Sequence, residues 1–155
     1  MTFNWKSRLI VLDQLEEVAE QIRAKHKRIV YTAGAWDMLH VGQVRYLHEA
    51  KKLADVLIVG VSCNQAVSQL KGPTRPILDE RIRAEMLSYI RFVDLVTIVP
   101  TQSHQPVLKK LKPDVYITVK EDWNSGYQES PEYHTVIACG GRVELVDRQS
   151  PFIST

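Results

Sequence analysis

Cysteine is scarce in this chain, with two residues, Cys63 and Cys139. They lack any metal-ligand spacing and do not suggest a disulfide framework, so a structural metal or a cross-linked secreted scaffold is not expected. Long apolar runs are missing too, and none approaches the roughly 20 residues needed to span a bilayer, so no membrane partner is expected. Charge of either sign is nearly balanced: 20 basic against 18 acidic residues leave +2. Nucleic-acid binders usually carry a strong basic bias, so nucleic acid is not an expected partner and any anion must be held by local groups. The opening stretch MTFNWKSRL has no signal-peptide core, so export is not indicated and a reducing cytoplasm is the expected location. Internal repeats, low-complexity tracts and obvious paired carboxylates are also absent.

What remains is ordinary for one soluble domain: 155 residues, 45% hydrophobic and 25% charged, enough to bury a single sizeable core. Five β-branched runs stand out, at 28–32, 56–61, 95–99, 115–119 and 143–147. They read as continuous apolar runs more than strict alternations, as expected for strands covered on both faces in a parallel sheet. Helical stripes fall between them. Leu12, Leu15, Val18, Ala19 and Ile22 lead the first strand; Val44, Leu47, Ala50 and Leu53 follow it. Ile82, Met86 and Ile90 mark a third stripe, and Val107, Leu108 and Leu111 a fourth. A fifth helix has its own punctuation: Ser130 as N-cap, Pro131 in the first turn, Gly140-Gly141 as the stop. The alternation predicts one α/β domain over 1–155, a Rossmann-like doubly wound, five-stranded parallel sheet with helices on both faces. Residues 1–26 are expected to form a leading helix. Ligands of such sheets bind beyond the carboxyl ends of the strands, where the strand order reverses.

The loop after the first strand, AGAWDMLHVG, lies on that edge. Gly34 lets a backbone approach a ligand closely. Gly42 keeps the first helical turn open, where unpaired N–H groups and the dipole favour an anion. His40 can donate to a phosphate oxygen. From residue types alone the alternative stays open that this is a plain strand-to-helix turn.

The longer pattern GAWDMLHVGQVRYL resembles the GxFDxxHxGHxxxL signature of the cytidylyltransferase-like nucleotidyltransferases. Four more segments resemble that superfamily in order and spacing: LKGPTRPI at 70–77, RAEMLSYIRFVD at 83–94, KPDVYITVKEDW at 112–123 and GGRVELVDRQSPFIST at 140–155. The resemblance covers residues 10–155, and within the superfamily it is nearest to ADP-heptose synthase-type adenylyltransferase domains, then glycerol-3-phosphate cytidylyltransferases. It implies attack of a phosphomonoester oxygen on the α-phosphate of ATP or CTP, with pyrophosphate leaving. A phosphate nucleophile is already ionised near neutral pH, so positioning and charge neutralisation would carry the catalysis.

The resemblance also implies roles. His40, Gln43 and Lys71 are the expected catalytic residues. Gly34, Ala35, Trp36, Asp37, His40, Gly42, Arg83, Ser154 and Thr155 are expected at the nucleotide, with Arg83 on the pyrophosphate side. Lys71, Arg75, Lys120 and Trp123 are expected at the phosphorylated acceptor. Magnesium would travel with the nucleotide on phosphates and water, with no dedicated protein cage, and a homodimer is the implied assembly. Alternatives stay open at several positions: Asp37 could cap or brace the turn, Trp36 could pack in the core, Trp123 could stack on a base or sugar or only anchor its loop, and Lys71 and Arg75 could be solvated charges. His26, His48, His104 and His134 have no partner spacing and are expected at the surface.

Departures from the pattern matter. The second motif histidine is Gln43, which can donate a hydrogen bond but carries no charge. Asn64 replaces an aspartate, where it could cap the short helix QAVSQL; Ala33 replaces an asparagine, and KEDW is one residue longer than its counterpart. The sequence stops at Thr155, where the family pattern enters a last helix. A catalytically weakened, nucleotide-binding regulatory homologue is therefore the alternative to an active enzyme.

Overall fold

A computed structural model describes residues 2–123 and 126–148. Its strands are β1 (Ile29–Gly34), β2 (Val56–Ser62), β3 (Leu95–Val99), β4 (Val115–Val119) and β5 (Arg142–Val146). Its helices are α1 (Leu15–Ala24), α2 (Val41–Lys51), α3 (Asn64–Lys71), α4 (Glu80–Ser88), α5 (Gln105–Leu111) and α6 (Pro131–Ala138). The sheet order is β3-β2-β1-β4-β5, with every pairing parallel. This is the expected doubly wound α/β sheet.

Both faces are covered, which is why the strands read as unbroken apolar runs. On one face, Leu47 and Ala50 of α2 and Ala84 and Leu87 of α4 pack on Val30, Leu57 and Val59. On the other, Leu15 and Ala19 of α1, Val107, Leu108 and Leu111 of α5 and Val136 of α6 cover Ile29, Tyr31 and Ile58. Each fully buried leucine contributes about 2 kcal/mol of transfer free energy. The start of α6 is as its sequence suggested: Ser130 Oγ accepts from Tyr133 N at 3.1 Å, and Pro131 fills the first position. The chain leaves α6 through Gly140, at φ +85°, a conformation that favours glycine.

Two expectations need correction. The leading helix is shorter than 1–26. Trp5–Arg8 form a 3-10 turn, Ile10 N bonds to Val96 O at 2.8 Å along the β3 edge, and α1 starts only at Leu15. Arg8 fastens the preceding segment, its guanidinium donating to the carbonyls of Ser88, Ile90 and Val93 at 2.8, 3.2 and 3.0 Å. On α4, Ile82 and Met86 do not form the inward stripe; they are 48% and 47% exposed. The buried face carries Arg83, Ala84, Leu87 and Ser88, because Arg83 has to reach carbonyls below the helix.

Strand pairing changes at the middle of the sheet. β1 and β2 stay in register over six residue pairs, from Ile29↔Val56 to Gly34↔Val61. β1 and β4 share only Val30↔Val115 and Tyr31↔Tyr116. Beyond them the strands part, at the place where the chain's winding direction switches. Tyr46 of α2 spans the parting: its hydroxyl lies 2.7 Å from Thr32 Oγ1 and donates to Ile117 O at 3.0 Å.

Candidate active site

A cleft of about 700 Å³ opens above this parting, at the carboxyl ends of the strands. One wall carries Gly34, Ala35, His40, Gly42 and Gln43, from the end of β1 and the start of α2. The opposite wall carries Gln102, His104, Tyr116 and Glu132, from the α5–α6 side.

His40 is the N-cap of α2, in extended conformation. Its Nδ1 accepts from Gly42 N at 3.1 Å and from Gln43 N at 3.4 Å, while Gln43 Oε1 accepts from His40 N at 3.1 Å. The result is a reciprocal capping box with an imidazole in place of the usual hydroxyl. The sequence suggested bare first-turn amides; two of them are instead taken up by the histidine ring. With Nδ1 committed as an acceptor, the neutral ring carries its proton on Nε2, a tautomer assigned from the hydrogen bonds. The ring thus relays the positive end of the helix outward and ends in one N–H donor. Gln43 keeps its amide NH₂ for the cleft.

Trp36 braces the turn from below. It is buried at φ +55°, and its Nε1 donates to Gly60 O at 2.9 Å. Its ring lies across Gly34, where an added Cβ would stand 3.1 Å from Trp36 Cε2. Glycine at 34 therefore makes room for the tryptophan as well as opening the backbone to the cleft. Asp37 points away from the cleft and holds the segment after Lys71: it accepts from Ile77 N at 2.8 Å and Leu78 N at 3.0 Å and pairs with Arg75 at 3.3 Å. Burial alone would raise the Asp37 pKa, but these two amides and the Arg75 guanidinium outweigh it and hold the carboxyl below its ordinary value. Arg75 is thereby engaged with Asp37, and neither residue lines the cleft.

Arg83 departs most from its expected role. The residue is fully buried. Its Nε donates to Leu78 O at 2.8 Å, one terminal nitrogen donates to Ala35 O at 2.6 Å and Ser62 O at 2.7 Å, and the other to Asn64 Oδ1 at 2.9 Å. Four of its five N–H donors are engaged within the protein, and the buried guanidinium does not line the cleft where a pyrophosphate would sit. It ties the ends of β1 and β2 and the start of α3 to the 78–83 segment. Asn64 is not the cap of its own helix: its Oδ1 also accepts from Glu80 N at 2.9 Å, and its Nδ2 donates to the α4 cap, Asp79, at 2.9 Å.

Lys71 ends α3 in the cleft wall and makes no ion pair with a described residue. Trp123 also lines the cleft, anchored by its Nε1 donating to Thr118 Oγ1 at 3.1 Å. Lys120 lies outside it, 3.3 Å from Asp147. Ser154 and Thr155 lie outside the described residues.

Sequence reasoning missed several cleft residues. Arg148 closes one edge, paired with Asp122. His104, expected at the surface, sits in the far wall with Nδ1 3.1 Å from the Tyr31 hydroxyl and Nε2 3.5 Å from Ser62 Oγ. Burial pushes its pKa down to about 4, and the nearby Glu132 charge offsets this only in part. One sequence signal did exist. Gly60 interrupts an otherwise β-branched strand because a Cβ there would lie 2.0 Å from the Tyr31 hydroxyl, marking a close approach.

A parallel sheet with its cleft at the switch point, and a helix terminus extended by a ring N–H at that cleft, defines a Rossmann-like domain. Residues 31–154 match the profile of the cytidylyltransferase-like family. The chain belongs to the cytidylyltransferase-like family of nucleotidyltransferases. It is 33% identical over 149 residues to the bifunctional protein HldE of Syntrophotalea carbinolica, covering 92% of this chain and 29% of that protein. HldE of Geobacter metallireducens is 38% identical over 139 residues, covering 87% and 27%. The chain thus spans under a third of the length of these relatives. Among solved structures, the lipopolysaccharide core biosynthesis protein of Thermoplasma volcanium superposes with a TM-score of 0.63 at 27% identity, over 79% of this chain and 97% of that one. A pantoate–β-alanine ligase from Francisella tularensis shares the fold at 15% identity, with a TM-score of 0.63 over 92% and 68%.

Proposed function

We propose that this domain transfers a nucleotidyl group from ATP or CTP to a phosphorylated small molecule, with a sugar phosphate as the leading acceptor class. The observation that carries this reading is His40: its Nδ1 is fixed by the α2 amides and its Nε2–H is left as a donor at the cleft. An acceptor phosphate oxygen attacks the α-phosphorus, a new P–O–P linkage forms, and the bond to the β-phosphate oxygen breaks with pyrophosphate leaving. Negative charge gathers on the α-phosphate oxygens in this step. A fixed donor there, needing no reorganisation, stabilises that charge more than it stabilises the ground state.

Lys71 serves the triphosphate as a movable charge, and the Gln43 amide adds a neutral donor. No general base is required, because the attacking phosphate is already an anion. Among the described residues no three carboxylate, imidazole or thiol groups converge on one point. Magnesium would enter with the nucleotide, held by its phosphates and water and supplying charge neutralisation there. Likeness to HldE and to ADP-heptose synthase-type adenylyltransferase domains makes ATP with a sugar phosphate the first pair to assay. The test is a pyrophosphate-release screen crossing four nucleoside triphosphates with sugar phosphates, glycerol 3-phosphate and phosphoethanolamine. Release that requires both partners is expected; silence across the whole matrix would refute the reading.

A further inference from the structure

The wall facing His40 is chemically unlike the phosphate end. Tyr31 is fully buried, and the only hydrogen-bond partner of its hydroxyl among the described residues is His104 Nδ1, at 3.1 Å. A buried phenol proton needs an acceptor, so Nδ1 accepts, and the neutral His104 ring keeps its proton on Nε2 beside Ser62 Oγ. β2 gives up a side chain at Gly60 for this contact, since a Cβ there would lie 2.0 Å from the Tyr31 hydroxyl. Tyr116 stacks on Tyr31, ring centroids 6.0 Å apart, and its own hydroxyl makes no hydrogen bond to a described residue. Glu132, in the first turn of α6, accepts from Ser103 Oγ at 2.9 Å through one oxygen, which leaves the other for the cleft.

These groups mix donors and acceptors: the Ser62 hydroxyl, which takes up the His104 N–H and keeps its own proton to donate, the Tyr116 hydroxyl, the Gln102 amide and the Glu132 carboxylate. An ammonium group would pair with the Glu132 carboxylate but, having no acceptor, leaves the hydroxyl and amide donors of this wall unmatched. A phosphate accepts only and would face the Glu132 charge. A hydroxyl does both.

We infer that Tyr116, Glu132 and Ser62, the last positioned by His104, form the subsite that receives the uncharged, polyhydroxylated body of the acceptor and turns its phosphate toward His40. The inference rests on the nucleotidyl-transfer reading above. These three residues act on acceptor selection, not on the nucleotide.

The test compares wild type with Glu132→Gln, His104→Ala and Tyr116→Phe in pyrophosphate release, using mannose 1-phosphate, glycerol 3-phosphate and phosphoethanolamine as probes. Calorimetry with magnesium ATP serves as the folding control. Expected is preference for the sugar phosphate, with its KM rising about tenfold in the variants, as for loss of a hydrogen bond to a buried polar group, while nucleotide affinity holds. Unchanged sugar-phosphate KM in all three variants, or a wild-type preference for phosphoethanolamine, overturns the subsite while nucleotidyl transfer stands. Silence of the wild type with every probe and nucleotide overturns both.

Discussion

His40 and Gln43 cap each other: Nδ1 of His40 accepts the Gln43 amide, and Oε1 of Gln43 accepts the His40 amide at 3.1 Å. This exchange gives a physical reading of glutamine where relatives' signature has a second histidine. The side chain closes the helix terminus with its oxygen and still offers an NH₂ to the cleft. Cap and ligand roles can be separated. Gln43→Glu preserves the capping acceptor but places a negative charge beside the phosphates. Thermal unfolding is expected at the wild-type temperature, with magnesium ATP affinity down at least about tenfold, as an unscreened like charge at contact implies. Equal nucleotide affinity would show that residue 43 serves the fold alone. Gln43→His, in turn, is expected to raise the rate if the glutamine is a weakened donor.

Arg83 is a strut in this structure, and its loss should be felt without any ligand. Arg83→Met would strand the carbonyls of Ala35, Ser62 and Leu78. Destabilisation of about 3–5 kcal/mol is expected, the range for removing one partner of a buried charged network. Denaturant titration of the ligand-free protein measures it. A change below about 1 kcal/mol would mean that the guanidinium is not structurally committed.

The Asp37 carboxylate holds the 75–78 segment through two amides. Asp37→Ala is expected to loosen the chain that follows Lys71 and to weaken magnesium ATP binding indirectly, with reduced hydrogen-exchange protection at Ile77 and Leu78. Unchanged protection there would contradict the brace.

His104 makes stability depend on pH. Its folded pKa is depressed, to about 4 against an ordinary 6.5. Above pH 6.5 the ring is neutral in both states and its contribution is complete. As pH falls from 6.5 toward 4, the unfolded chain takes up a proton that the folded ring refuses, so stability falls by roughly 3 kcal/mol for this group. Groups facing it are Tyr31, Ser62 and Glu132. Melting temperatures of wild type and His104→Gln between pH 7 and pH 4 test this; the variant should lack this part of the decline, and parallel curves would contradict it.

The sheet was legible because its rule is local: doubly covered strands read as unbroken β-branched runs, and the α6 punctuation at Ser130 and Gly140 is written in adjacent residues. The His40 turn was legible by pattern, since the cap and its partner are three residues apart. What the sequence concealed is held by distant contacts. His104 meets Tyr31 across 73 positions, and Arg83 reaches Ala35 across 48. The α4 stripe was misassigned for the same reason. Ile82 and Met86 have the right spacing for a core face, but burying Arg83 rotates them outward. At Arg83 and Asp37 a side chain expected to meet ligand meets backbone instead, and at Arg75 and Lys120 it meets a carboxylate.

In the proposed reaction the His40 ring caps a helix with one nitrogen and donates to phosphate with the other. Asparagine is also a good N-cap, so His40→Asn keeps the first function and removes the second. The direct measurement is pyrophosphate release by wild type and His40→Asn, alongside their melting temperatures. The expected result is equal melting temperature with the rate down by about 10²–10³, the usual effect of losing one transition-state donor. An undiminished rate in a folded His40→Asn protein would contradict it.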